Sequence, residues 1–253
     1  MAKKVNNEVE KNLVKDRLMM QQSRLAQMGE AISMIAHQWR QPLNTLSLVT
    51  QSIYLKFMMG KLDSKDMEKF QVSSQKQIKQ MSDTIDDFRD FFRPEKNKTI
   101  FAIDKPINHV LTILEHMLKQ ELIDVKLDIK DELYINGYPN ELGQVLINII
   151  NNAKDAFIDG ISKEQRIIKI STYIDDSIVY ITIEDNAGGI PLDVIDSIFD
   201  PYFSTKTQKN GTGLGLYMSK IIIQQHMLGS LNVINITNGA KFVLSFKEVT
   251  DNK

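Results

Sequence analysis

Between residues 25 and 53 the apolar positions step alternately by three and four: Leu25, Met28, Ile32, Ile35, Trp39, Pro42, Leu46, Val49 and Ile53. A seam of this period sustained over about four heptads predicts a long helix packed against other helices. Upstream the pattern thins to Val14 and Leu18, so residues 1–23 read as a helical extension that is less firmly packed. Gly60 and the pair Asp63 and Ser64 interrupt the seam, and Ser64 is expected to cap a second helix. There Ile78, Met81, Ile85, Phe88 and Phe92 repeat the step, and Pro94 ends it by disfavouring helical geometry at Arg93. A hairpin with a single apolar face cannot bury that face alone. Dimerisation through residues 20–92 into a four-helix bundle is the expected solution.

Beyond residue 97 short apolar runs alternate with amphipathic ones. Strands are expected at 100–103, 125–129, 133–136, 166–174, 178–184, 230–236 and 241–246, and helices at 104–122, 140–158 and 214–227. The fold class is therefore α+β: an antiparallel helical hairpin over 1–95, then an α/β sandwich over 96–253. Residues 187–212 are rich in Gly, Asp, Ser, Thr and Asn. They read as a long mobile loop with a short helical turn inside it, and loops of that length in compact domains are usually functional.

Composition narrows the field. Lys and Arg (31) nearly cancel Asp and Glu (32), which points to no nucleic-acid partner. With no cysteine, disulfides, thiolate catalysis and cysteine metal sites are excluded, in keeping with a cytoplasmic setting. No apolar run reaches the roughly 18 residues of a membrane span.

Several clusters carry candidate chemistry. His37 falls at position f of the heptad frame, the face farthest from the seam, where another domain can reach it. Pro42 lies one turn beyond, inside a helix where proline costs about 3 kcal/mol, which suggests a kink kept for function. In the helix over 140–158, Asn148, Asn152 and Asp155 share one face opposite an apolar one. Asparagine is a mediocre helix former, and carboxamide oxygens suit a hard cation such as Mg2+. Asp185 ends a strand and is followed by Gly188 and Gly189, so a carboxylate could be presented beside a close-passing backbone. Gly211, Gly213 and Gly215 precede an apolar helix, an arrangement that lets phosphate approach a helix N-terminus.

Taken together and in order, these clusters resemble the histidine kinase family. Residues 36–43 (AHQWRQPL) resemble its H-box, residues 148–152 the N-box, 185–189 the G1 box, 198–206 (IFDPYFSTK) the F-box and 211–215 the G2 box. The resemblance runs from about residue 24 to the C-terminus and implies a dimeric helical hairpin followed by a Bergerat-type ATPase sandwich. It implies that Asp185 takes the adenine amino group, Asn152 ligates Mg2+ and Asn148 lies near the phosphates. Gly213 and Gly215 would admit the triphosphate, with Lys206 a lid cation and Asp155, Gly189, Thr212 and Leu214 completing the ATP site. His37 would accept the γ-phosphoryl group and pass it to an aspartate on a response regulator receiver domain.

Three positions refine that expectation. ATP-hydrolysing relatives carry a glutamate where this chain has Asn148, so transfer to a protein nucleophile is favoured over hydrolysis. Gln38 follows the histidine where an acidic base is common; an amide can orient imidazole but cannot take its proton. Gln41, one turn beyond His37 on the same face, could position water for phosphatase action on the regulator. Gln38 also keeps open an alternative, a low-activity ATP-binding scaffold of the same fold.

Overall fold

The computed structural model describes residues 2–93, 95, 97–130, 132–159, 165–204 and 213–249, with several helical residues, His37 among them, described by backbone alone. The chain forms two compact units, Met28–Arg93 and the combination of Met1–Gln27 with Pro94–Lys253. Helix α1 (Ala2–Met58) contributes to both, continuing through Pro42. None of the helices among the described residues is long and apolar enough to cross a membrane.

The hairpin unit is the latter part of α1 followed by α2 (Ser64–Phe91). Its turn is built from backbone chemistry. Gly60 adopts φ +66°, and the Lys61 and Gly60 amides donate to Lys56 O and Phe57 O at 2.9 and 3.0 Å. That is a Schellman closure, which satisfies carbonyls the helix end would otherwise leave unpaired. The cap of α2 corrects the sequence reading: Asp63, not Ser64, occupies it, its Oδ1 accepting from the Asp66 amide at 2.7 Å. Lys56 of α1 pairs with Asp66 of α2 and ties the two helix ends together. Along the seam Trp39, Leu46, Val49 and Ile53 are half-buried, whereas Ile32, Ile78 and Ile85 stay exposed in a single chain.

In the second unit a two-stranded antiparallel sheet joins β1 (Thr99–Ala102) to β3 (Tyr134–Gly137). The main sheet has five strands in the order β2-β4-β5-β7-β6. Its members are β2 (Ile123–Asp128), β4 (Arg166–Asp175), β5 (Ile178–Asp185), β6 (Ser230–Ile236) and β7 (Gly239–Lys247). Among the described residues of this sheet, β2 and β4 pair in parallel and the other neighbours antiparallel. Helices α3 (Asp104–Gln120), α4 (Pro139–Asp159) and α5 (Gly215–Ile221) complete the unit. The expected helix at 214–227 is real but not uniform, since α5 widens into a π turn over Ile222–His226.

Strand period places the core. In β5, Val179, Ile181 and Ile183 point inward, as do Ile168 and Ile170 of β4 and Phe242 and Leu244 of β7. Helix α4 is buried almost all round: Leu142, Val145, Leu146, Ile147, Ile149 and Ile150 are each at most 3% exposed. Such a helix belongs to the middle of a core. Its half-exposed positions include Glu141, Asn148, Asn152 and Asp155, a stripe at helical spacing.

Gly29 and Gly60 give a paired prediction about the hairpin. An added Cβ meets nothing within 4 Å at either, but only Gly60 has positive φ. Gly60→Ala is expected to lower stability by about 1 kcal/mol and Gly29→Ala to raise it by about the same. Urea denaturation at matched protein concentration reads the two opposite signs.

Candidate nucleotide site

Asp185 is the last residue of β5 and shares the parity of Val179, Ile181 and Ile183, so the strand that builds the core also turns this carboxylate inward. It is 8% exposed. Its Oδ1 accepts from the Ala187 amide at 2.9 Å and the Ala240 amide at 3.3 Å. Both bonds fall on one oxygen, which leaves Oδ2 as the atom to offer an amino-bearing ring. Burial pushes the carboxyl above the ordinary carboxylate range, and the two backbone donors pull it part of the way back.

The loop after Asp185 is held by amides. Asn235 of β6 accepts from the Ile190 amide at 2.8 Å and donates to Ile190 O at 2.7 Å. The Gly188 amide donates to Asn238 O at 2.9 Å. Gly188 and Gly189 both have positive φ, and a Cβ at Gly189 would stand 2.9 Å from Asn235 Oδ1. Asn186 turns back to β4, accepting from the Ile167 amide at 2.8 Å. Past Pro191 the chain runs through consecutive turns as far as Phe199, where sequence anticipated a short helical turn inside a long loop. Ile198 buries itself there, and the Lys220 ammonium lies 5.0 Å from the Phe199 ring centroid.

The third element is the start of α5. A Cβ on Gly215 would fall 2.4 Å from Asn148 Oδ1, so only glycine lets the helix start lie against that carboxamide. Asn148 Nδ2 donates to Ser219 Oγ at 2.9 Å, and Ser219 Oγ donates to Gly215 O at 3.0 Å. Gly213, at φ +64°, packs as closely on the backbone of Tyr202. Leu214 is buried beneath the turn.

The structure thus joins Asn148 to Gly215 through contact, and sets Asn152 and Asp155 on the same half-exposed stripe of α4. Asp155 also lies 3.1 Å from Lys154 Nζ. Asp185 ends β5, and Gly189 lies in the loop that follows it. Lys206 and Thr212 lie outside the described residues, as does the side chain of His37, whose backbone is helical. Gln38 is half-buried and Gln41 exposed. Sequence reasoning missed Gly239, whose Cβ would collide with Asp185 O at 1.7 Å, and the two anchors Ser219 and Asn235. The β5–β7 pairing that makes Gly239 indispensable has no local sequence signal; Ser219, four residues after Gly215, could have been noticed by helical spacing. His226 Nδ1 lies 2.7 Å from Glu141 Oε2, a bond that raises its pKa.

A buried strand-end carboxylate, an amide stripe on a central helix and a glycine turn opening a further helix define a nucleotide-binding α/β sandwich. Comparison with known proteins agrees. The model described as Histidine kinase-, DNA gyrase B-, and HSP90-like ATPase matches residues 137–250, and the His Kinase A (phospho-acceptor) domain matches residues 27–97. The chain belongs to the histidine kinases. Over 232 residues it is 32% identical to the signal transduction histidine-protein kinase AtoS of Escherichia coli, covering 90% of this chain and 36% of AtoS. Sporulation kinase A of Bacillus subtilis is 29% identical over 238 residues, with 91% of this chain and 36% of that protein covered. The chain therefore spans little more than a third of the length of these relatives. Among solved structures, the nucleotide-free catalytic domain of histidine kinase ThkA superposes with a TM-score of 0.54 at 28% identity, over 60% of this chain and 97% of that one. ThkA in complex with response regulator protein TrrA shares the fold at 20% identity and a TM-score of 0.51, over 96% of this chain and 67% of that one.

Asp185→Asn separates the cost of this site from its use. The amide keeps an oxygen for both backbone donors and removes the buried charge. Because burial raises the folded carboxyl pKa, the native protein loses stability as pH rises from the ordinary value of about 3.9 through that raised value. The stability advantage of Asp185→Asn should therefore grow from acid toward neutral pH and then level off. Thermal melts of both proteins across that range check it; a gap that shrinks with pH would contradict the assignment.

Proposed function

We propose that the chain is a histidine kinase core that binds Mg-ATP, autophosphorylates on His37 and passes the phosphoryl group to an aspartate of a response regulator. The observation that carries the reading is the buried Asp185 carboxylate, with Oδ2 left to meet an adenine amino group, in a chain whose phospho-acceptor match includes His37. An isolated buried carboxylate is costly, and a polar ligand group gives it a purpose.

Asn152 is the side chain that would hold magnesium: a half-exposed amide on α4, of the oxygen-donor type this ion accepts alongside waters and phosphate oxygens. The close-packed glycine turn at Gly213 and Gly215, where a Cβ would be excluded, fits the approach of a triphosphate. When bound, the ion neutralises charge on the β- and γ-phosphates. The family resemblance would add Lys206, Thr212, Leu214, Asp155 and Gly189 to the residues that serve the nucleotide.

In the transfer, an imidazole nitrogen of His37 forms a P–N bond to the γ-phosphorus as the P–O bond to ADP breaks. The imidazole proton leaves to solvent, since Gln38 cannot take it. Gln38 orients the ring; Gln41, exposed on the helix, would position water when the regulator is dephosphorylated. Asn148 lacks the basicity to activate water, and its amide is already donated to Ser219. Transfer to histidine is thereby favoured over hydrolysis.

On this reading the chain divides into a hairpin domain ending at residue 95 and an ATPase domain over 96–253, in the cytoplasm, with residues 1–27 of the long helix packing in one compact unit with the latter. Exposed Ile32, Ile78 and Ile85 supply a face for a second copy of the hairpin, so the working form is a homodimer. That ThkA was solved in complex with a response regulator supports a receiver domain as the partner.

Incubation with γ-labelled ATP tests the proposal. Acid-labile, alkali-stable label should appear on the protein and vanish in His37→Gln. No label with retained ATP binding would mean the scaffold that Gln38 allows, and free phosphate without labelled protein would mean a hydrolase. Asn152→Ala is expected to weaken Mg-dependent nucleotide binding by about tenfold or more, with thermal stability nearly unchanged. Normal Mg-ATP affinity in that variant, read by calorimetry, would refute the metal assignment.

A further inference from the structure

Asn148 of α4 and Ser219 of α5 are joined by a bond whose direction is fixed. Ser219 is 2% exposed, so water does not compete for its hydroxyl. The hydroxyl has a single proton, and it goes to Gly215 O, four residues back along the helix, at 3.0 Å. Toward Asn148, 2.9 Å away, Ser219 Oγ can then only accept. Of the two ends of a carboxamide, only Nδ2 donates. The bond therefore selects one of the two flips of the Asn148 side chain.

That choice has a consequence at the other end of the group. Asn148 is half-exposed, and its Oδ1 meets no hydrogen-bond donor among the described residues. A Cβ on Gly215 would stand 2.4 Å from Oδ1, 2.7 Å from Nδ2 and 2.9 Å from Cγ. The whole carboxamide thus lies against the start of α5, and only glycine leaves it room.

With Nδ2 committed to Ser219, what position 148 offers a ligand is an acceptor. An acceptor is repelled by phosphate oxygens and suits a divalent cation, or a water bound to one. Asn152 follows one helical turn later on the same half-exposed stripe. Both amides of the stripe can then serve the cation. A freely flipping Asn148 would turn its donor end outward part of the time and lose that preference.

We propose that Ser219 is a positioning residue for metal-dependent nucleotide binding: its hydroxyl fixes the flip of the Asn148 carboxamide, so that Oδ1 serves the cation or its water and Nδ2 gives nothing to the phosphates. This role rests on the nucleotide-site reading above and deepens it. A hydroxyl that only tied α4 to α5 would matter equally with and without metal, and that difference is measurable.

The test uses the whole chain with Ser219→Ala, Ser219→Thr and Ser219→Val, each alone and in an Asn148→Ala background. Threonine keeps a hydroxyl able to bond back along the helix, and valine matches its shape without one. Calorimetry measures affinity for ADP with Mg2+ and with EDTA. Ser219→Ala and Ser219→Val should weaken Mg-ADP binding by about tenfold and metal-free ADP binding by less than about twofold. Ser219→Thr should keep most of the metal dependence. In the Asn148→Ala background no variant should change metal dependence further, because the hydroxyl acts through that amide. In the nucleotide-free chain, nuclear magnetic resonance should show the Asn148 Nδ2 protons exchanging with water faster in Ser219→Ala than in the unsubstituted protein.

Equal losses with and without Mg2+ overturn the role, as does a loss that persists in the Asn148→Ala background. Asn148 exchange that Ser219→Ala leaves unchanged also overturns it. If the unsubstituted chain binds neither form of ADP, the nucleotide reading itself fails. A chain that binds Mg-ADP normally, with variants that do too, sinks only the part given to Ser219.

Discussion

The constraint on which the ATPase unit turns is the inward carboxylate of Asp185. Period-two alternation in β5 leaves no choice of face: the residue two beyond Ile183 must point at the core. Everything near it limits the consequence. Two backbone amides are spent on Oδ1, one from the loop that follows and one from β7. Gly239 exists so that β7 can begin directly against the Asp185 carbonyl. Even so, burial holds the carboxyl pKa up, so the fold accepts a local loss of stability at neutral pH. Functional sites are where such costs are found.

Helix α4 resolves a related conflict. It is the central helix, wrapped by sheet and helices, yet it must show polar groups along one line. Its apolar residues take nearly every direction, and the half-exposed stripe through Glu141, Asn148, Asn152 and Asp155 is what remains. Lysine or glutamate would be better helix formers there. At Asn148 a short amide fits where a longer side chain would not, because it lies close enough to Gly215 to exclude even a methyl group. The poor helix propensity is tolerated because tertiary packing, not propensity, holds α4.

Much of this was legible before any coordinates. The apolar steps gave both hairpin helices, and β6 and the start of β4 and β5 fall where alternation put them. Motif order marked Asp185, Asn148 and Gly215, because phosphate and amide chemistry restricts residue type locally. What stayed hidden was relational. Asp63 capped α2 in place of Ser64 because only the backbone geometry of the turn decides between adjacent capping residues. Gly239, Asn235 and Ser219 matter through partners some tens of residues away. The face of α1 that meets α5 was invisible for a different reason: Met19 and Met20 sit outside the heptad frame, so their period pointed to nothing until α5 lay beneath them.

The bond between Asn148 and Ser219 changes how the polar chemistry should be viewed. Asn148 was singled out as the residue that replaces a water-activating glutamate, a statement about what it cannot do. In the folded chain it has a definite task, holding Ser219 and abutting Gly215, so the amide face of α4 and the start of α5 are one mechanical piece. A glutamate at that position would carry an acceptor-only group toward the Ser219 hydroxyl, whose proton is already given to the Gly215 carbonyl. The amide donor is therefore matched to its partner. The coupling of α4 to the start of α5 comes from the two polar atoms of one carboxamide.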